Sequence, residues 1–239
     1  GVRLVGSEMC IRDRCKGLQV AIDGPASAGK STVAKLVAKK FNYVYCDTGA
    51  MYRAVTLAVL NQGIDPKDDK KVAEIARQIK IDFEPGEIEQ RVFLDGKEVT
   101  HDIRLPKVAA NVSAVAAVPA VREEMTKQQR QIAENGGIVM DGRDIGTTVL
   151  PQAPVKIFMV ASAYERARRR YAENQAKGIN TTSLEELQKA IELRDKKDST
   201  RKVSPLTQAP DAIKLDTTNM TIDEVVSETV SYTHLRAHE

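Results

Sequence analysis

At 239 residues, with 42% hydrophobic and 29% charged side chains, the chain can bury a proper core, in one domain or one domain with insertions. A formal charge of +3 argues neither for nor against nucleic acid, so any functional positive charge must be clustered. No apolar run approaches the ~20 residues of a membrane helix, and Cys10, Cys15 and Cys46 match no zinc or redox spacing, which fits a reducing cytosol.

The first stretch, Gly1 to about Arg14, scatters charges through a short apolar run and lacks the order of a signal peptide. "SEMCIRDR" and, at the far end, "YTHLRAHE" resemble read-through of sequencing adapters, so residues 1–16 and 231–239 are expected to be foreign or disordered. The apolar run Leu18 to Ile22 then reads as a buried strand. It delivers Gly24-Pro25-Ala26-Ser27-Ala28-Gly29-Lys30-Ser31, followed by Thr32 and a helical pattern to about Phe41. This fits G-x-x-x-x-G-K-[ST] in its confirming context of strand, glycine loop and helix. The loop amides and the positive helix end are suited to an anion. Lys30 would reach the β- and γ-phosphates of a nucleoside triphosphate, and the Ser31 hydroxyl would ligate its Mg²⁺.

Tyr43 to Cys46 reads as a second parallel strand, ending at Asp47 or Thr48 as the cap of a helix towards Asn61. A turn at Asn61–Gly63 and Asp65-Pro66 precedes an amphipathic helix, Lys67 to Ile79. Ile81–Phe83, Ile88–Leu94 and Lys97–Val99 read as a small antiparallel unit, with Asp95-Gly96 as its hairpin turn. Pro106 and Pro119 bracket a helix from Lys107 to Val118, and another runs from Ala120 to Glu134 before the Gly136-Gly137 stop. Ile138–Met140 is a third buried strand, delivering Asp141-Gly142-Arg143-Asp144; Val155–Val160 is the fourth. A helix from Ala163 to Lys177 carries Arg166, Arg168, Arg169 and Arg170, and Ser183 with Glu186 opens a helix to about Asp198. Ala212–Leu215 is the fifth strand, and Thr221 and Glu224 cap the last helix. The alternation predicts a three-layer α/β fold with a five-stranded parallel sheet, its ligands at the strands' carboxyl ends.

The loop alone does not separate motors, GTPases, transporters and kinases. No N-K-x-D guanine-reading motif is present. Arginines recur at loop and helix-end positions: Arg53, Arg122, Arg143, Arg194 and Arg201. A guanidinium fork suits phosphate, and phosphoryl transfer runs on positioning and charge neutralisation. A phosphate acceptor is already anionic and needs no strong base, so an arginine-rich chain favours phosphate-to-phosphate transfer. Two other readings stay open. A hydroxyl kinase would want an aspartate base, for which Asp47 is a candidate, and an ATPase module would want no acceptor arginines at all.

The stretches "IDGPASAGKST", "DTGAMYRA", "VPAVRE", "DGRDIGT", "APVKIF" and "RDKKDSTR" resemble the bacterial cytidylate kinases, over about residues 17–230. The resemblance implies transfer of the ATP γ-phosphate to CMP or dCMP by a cytoplasmic, monomeric class of enzymes that binds neither nucleic acid nor membrane. It implies a core of 17–62, 107–165 and 200–230, an acceptor-binding insertion at about 63–106, and a helical lid at about 166–199. By position, Thr48, Tyr52 and Arg53 would line the acceptor site, with Arg143 beside Arg53 on the phosphate. Ser113, Arg122 and Asp144 would read cytosine, whose N4 amino group donates while N3 and O2 accept; Gly142 lies in the same stretch. Arg194 and Arg201 would bridge the two phosphates and Asp198 would meet the acceptor sugar. Arg170 would serve ATP, and Asp141, ending an apolar strand, is a candidate for ordering Mg²⁺ through water. Gly178 and 180–182 are expected to form the lid tip and hinge.

Overall fold

Apolar runs set the sheet. In the computed structural model, which describes residues 17–84, 90–176, 178 and 182–237, Gln19–Asp23 (β1) is buried from its second residue onward. The described chain divides into two units, one of residues 17–45 and 133–237, the other of 46–132.

The first unit holds β1, helix α1 (Lys30–Phe41), the start of β2 (Val44–Asp47), β6 (Ile138–Gly142), β7 (Val155–Val160), α6 (Ala163–Ala176), α7 (Leu184–Thr200), β8 (Ile213–Asp216) and α8 (Ile222–Ala237). The parallel sheet has the order β2-β6-β1-β7-β8. With β1 central it is buried on both sides, which explains the near-continuous apolar runs of β1, β6 and β7. Register places Asp23 opposite Gly142 on one side and Phe158 on the other. The loops leaving β1 and β6 therefore start side by side at one edge of the sheet. Val20, Ile22, Val139, Val155, Ile157 and Met159 form the core with Val33 and Val37 of α1 and Val225 and Val226 of α8. Each such side chain contributes about 1.5–3 kcal/mol on burial.

The second unit holds α2 (Thr48–Asn61), α3 (Asp69–Gln78), a three-stranded antiparallel sheet of β3 (Ile81–Glu84), β4 (Arg91–Leu94) and β5 (Lys97–Glu98), then α4 (Pro106–Val115) and α5 (Pro119–Ala133). Asp95 and Gly96, both at positive φ, make the β4–β5 hairpin turn, as Asp-Gly predicts. Residues 88 and 89 of the expected strand lie outside the described residues. The helix expected over Lys67–Ile79 is shorter, because Asp68 caps it by accepting the Lys71 N–H.

At the carboxyl end the structure corrects the sequence reading. Residues 231–237 are not disordered: α8 continues through them to Ala237. Thr233 is fully buried, Tyr232 packs against the core, and the His234 ring lies 5.1 Å from that of Phe41. Residues 1–16, 238 and 239, and of the expected lid tip 180 and 181, lie outside the described residues.

Candidate active site

In the first unit the loop after β1 is shaped by its backbone. Gly24 stands at φ 149°, and a Cβ there would run into the Met159 carbonyl of β7. Ser27 and Gly29 also adopt positive φ, and Gly29 precedes α1, whose first turn carries no acidic residue. The helix thus meets the loop with its positive end uncompensated. Pro25, Ala26 and Ala28 are buried, while Thr32 faces outward.

Lys30 is 5% exposed and donates to the Pro25 carbonyl at 2.7 Å. Burial, then the positive charge of Arg143, pull its pKa down to about 7; Asp141 and Asp23 oppose this, and Arg194 adds to it. Charges after β6 and on α7 thus act on the ammonium at the start of α1. Beside it the Ser31 hydroxyl donates to Asp141 Oδ2 at 2.8 Å, while the Tyr45 hydroxyl donates to Oδ1 at 2.8 Å. Ser31 and Asp141 supply hard oxygens suited to Mg²⁺, which takes few protein ligands and keeps water. Among the described residues there is no cluster of three or more His, Cys, Asp or Glu able to hold a metal ion.

At the end of β6, Gly142 is buried and its carbonyl takes a long bond from Arg143 at 3.4 Å. Arg143 Nε donates to Asp198 of α7 at 3.0 Å. Arg201, just after α7, lies 3.5 Å from Asp144 and donates to the Ser204 carbonyl. Four of the residues singled out from sequence therefore meet as two arginine–carboxylate pairs. Such pairing holds a planar guanidinium in a fixed orientation. Arg194 is exposed on α7 and reaches Lys30 through its charge.

The arginines of α6 separate into different roles. Arg168 and Arg170 are exposed and pair with Glu165 and Glu173 on their own helix. Arg169 donates to the Thr217 carbonyl at 2.6 Å, and its guanidinium lies 4.0 Å from where a Gly29 Cβ would stand. Arg166 is buried and spends its fork on the Ala161 carbonyl (2.9 Å), the Ala26 carbonyl of the loop (3.0 Å) and Asp195 of α7 (2.6 Å). Sequence reasoning treated it as one of a charged run. Its structural importance shows only in partners far along the chain, as does that of Asp23 and Tyr45.

In the second unit Asp47 caps α2 by accepting the Ala50 N–H at 2.9 Å, and its other oxygen pairs with Arg53 at 2.9 Å. Both oxygens are engaged locally, which weakens its candidacy as a general base. Arg122, 3% exposed, stacks 5.3 Å above the Tyr52 ring. Thr48 is buried at the first position of α2, and Ser113 is half-buried on α4. Tyr52 and Arg122 thus form one platform with Arg53 a residue away on the same helix.

The cytidylate kinase family profile matches residues 20–235. A cytidylate kinase of Limosilactobacillus fermentum is 69% identical over 213 residues, covering 89% of this chain and 94% of that protein. Those of Ligilactobacillus salivarius and Pediococcus pentosaceus are 61% and 64% identical, over 93% and 88% of this chain and 99% and 92% of their own lengths. The profile spans nearly all of both units, and the matched stretch carries the phosphate loop and every arginine placed above. The chain belongs to the cytidylate kinase family.

Proposed function

We propose that the protein transfers the γ-phosphate of ATP to CMP or dCMP, giving ADP and CDP or dCDP. The observation that carries this reading is a buried Lys30 following a phosphate loop, in a unit that also holds Arg143 and Arg201 in place through Asp198 and Asp144. Such a cluster of cations exceeds what holding one triphosphate requires and suits the joining of two anionic phosphates. The loop from Gly24 to Thr32 cradles the donor through its backbone N–H groups, Pro25 having none. Arg143, Arg194 and Arg201 neutralise the charge that spreads over the transferring group, and the acceptor's anionic oxygen attacks without a base. Thr48, Tyr52 and Arg53 seat the acceptor, Ser113, Arg122 and Asp144 read its base, and Asp198 meets its sugar. Ser31 and Asp141 would hold the Mg²⁺ of the donor, which when bound neutralises phosphate charge. Residues 63–106 serve the acceptor and about 166–199 form the lid that excludes water. We read the protein as a cytoplasmic monomer that engages neither nucleic acid nor membrane; among the described residues no helix is long and apolar enough to cross a membrane.

An ADP-release assay with CMP, dCMP, UMP, AMP and no acceptor tests the proposal. Turnover that requires CMP or dCMP supports it. Turnover without any acceptor points instead to an ATPase, and no turnover with any of the four nucleotides to another phosphotransferase.

Two further results are expected. Asp144 accepts from the cytosine N4 amino group, and uracil sets a carbonyl oxygen against it, leaving a buried polar group unpaired. Asp144→Ala should therefore lower the CMP-to-UMP ratio of kcat/KM by roughly 10–100-fold and leave the ATP KM near wild type; unchanged selectivity would remove the assignment. Second, a Lys30 ammonium with pKa about 7 is largely neutral at pH 8, and the polyphosphate favours its charged form. ATP binding should then take up as much as one proton at pH 8 and little at pH 6. Titration calorimetry in buffers of different ionisation enthalpy reads this directly, and buffer-independent heats at pH 8 would contradict it.

A further inference from the structure

Asp23 ends β1, one residue before Gly24, and is 5% exposed. Its two oxygens accept backbone N–H bonds from Ile145 (2.8 Å) and Gly146 (2.7 Å). These residues begin the single π-helical turn Ile145–Val149, whose cap, Asp144, sends no side-chain bond into the turn. The leading amides are instead served by a carboxylate 122 positions away. On the sheet, Asp23 also stands opposite Gly142. The segment from Gly142 to Gly146 is thus fastened to this one strand position at both ends, by the ladder and by the carboxylate. Arg143 and Asp144 are the residues between the fastenings.

The fit is close. A Cβ on Gly146 would stand 3.4 Å from Asp23 Oδ2 and 3.2 Å from Lys156 Cδ. The ammonium of Lys156 is occupied elsewhere, by Asp211 and the Pro151 carbonyl. Burial, with Asp144 as a like charge, pushes the Asp23 carboxyl up to about 6, against the two N–H bonds and the Lys30 charge. A carboxylate held at such a cost, with both oxygens spent on this turn, is placed for what the turn presents.

The geometry points to Asp23 as a positioning residue for acceptor selection: it ties the strand that feeds the donor loop to the turn that aims Arg143 and Asp144, and so sets the preference for cytosine without touching either nucleotide. The inference rests on the reading of Asp144 as the base-selecting carboxylate.

Asp23→Asn tests it. The amide keeps one accepting oxygen and turns an NH₂ towards the other backbone N–H, so the turn loses an anchor while side-chain size is conserved. With ATP saturating, the CMP-to-UMP ratio of kcat/KM should fall at least about tenfold, the size of one lost buried hydrogen bond. The ATP KM should stay near wild type. A role in stability alone would reduce the active fraction and cut both acceptors equally, and an unchanged ratio overturns the proposal. Gly146→Ala presses the same turn from its other side with Asp23 intact and should lower the ratio too. It decides the question if Asp23→Asn does not fold, and an unchanged ratio there again overturns the proposal. Asp144→Ala separates the two levels. If it leaves the ratio intact, the base-selection reading fails; if it lowers the ratio while Asp23→Asn and Gly146→Ala do not, only the positioning role fails.

Discussion

Exchanging Lys30 for methionine is expected to lower kcat about a thousandfold, or about 4 kcal/mol of transition-state stabilisation. Methionine keeps much of the buried stem and removes only the charge that meets phosphate. The backbone cradle stays, because Gly24, Ser27 and Gly29 hold it independently of the side chain. CMP affinity should therefore change little while turnover collapses. Stability should move the other way. Lys30 has a pKa of about 7 folded against 10.5 unfolded, so below pH 7 both states carry the charge and its burial cost is fully present. From pH 7 to 10.5 the unfolded chain holds one more proton, and stability rises with pH. The methionine variant lacks this cost, so its unligated melting temperature should exceed wild type at pH 6, with the gap narrowing by pH 9. A variant within tenfold of wild-type kcat would contradict the role given to Lys30.

Arg166→Met is expected to cost about 3 kcal/mol, or a fall in melting temperature of roughly 6–12 °C. The change strands two backbone carbonyls and the Asp195 carboxylate, which is 22% exposed and keeps some solvation. The guanidinium joins the loop at Ala26 to α7 at Asp195, the residue after Arg194. Loosening it should raise the ATP KM and lower kcat beyond what stability alone predicts. Arg168→Met, two positions on, loses only a 62%-exposed pair with Glu165 and should cost at most about 1 kcal/mol. Calorimetric melting of both variants checks the contrast; equal effects would show that Arg166 is no more than another member of a solvated charge run.

The features legible in the sequence were those whose causes are local. Gly24 and Gly29 punctuate the loop, Asp95-Gly96 makes its hairpin, Ser183 and Glu186 form their capping box, and β1, β6 and β7 coincide with apolar runs. The family pattern located the arginines but not their partners. Arg143 with Asp198, Arg166 with Ala26 and Asp23 with Ile145 join residues 55, 140 and 122 positions apart, and no periodicity encodes such pairs. The π-helical turn at 145–149 was missed because one turn has too few residues for a helical period to register. The tail was misjudged for want of punctuation, although Val225, Thr229 and Thr233 recur every fourth residue and all are buried. The charged run of α6 did not single out Arg169, which helix phase sets beside the loop, its guanidinium 4.0 Å from where a Gly29 Cβ would stand.

The fate of the γ-phosphate decides the account. With ATP labelled at the γ-position and one equivalent of CMP, a single turnover should place the label in the β-phosphate of CDP, with inorganic phosphate at background. Label appearing as inorganic phosphate, at a rate indifferent to CMP, would contradict transfer between two arginine-held phosphates and leave only hydrolysis at the loop.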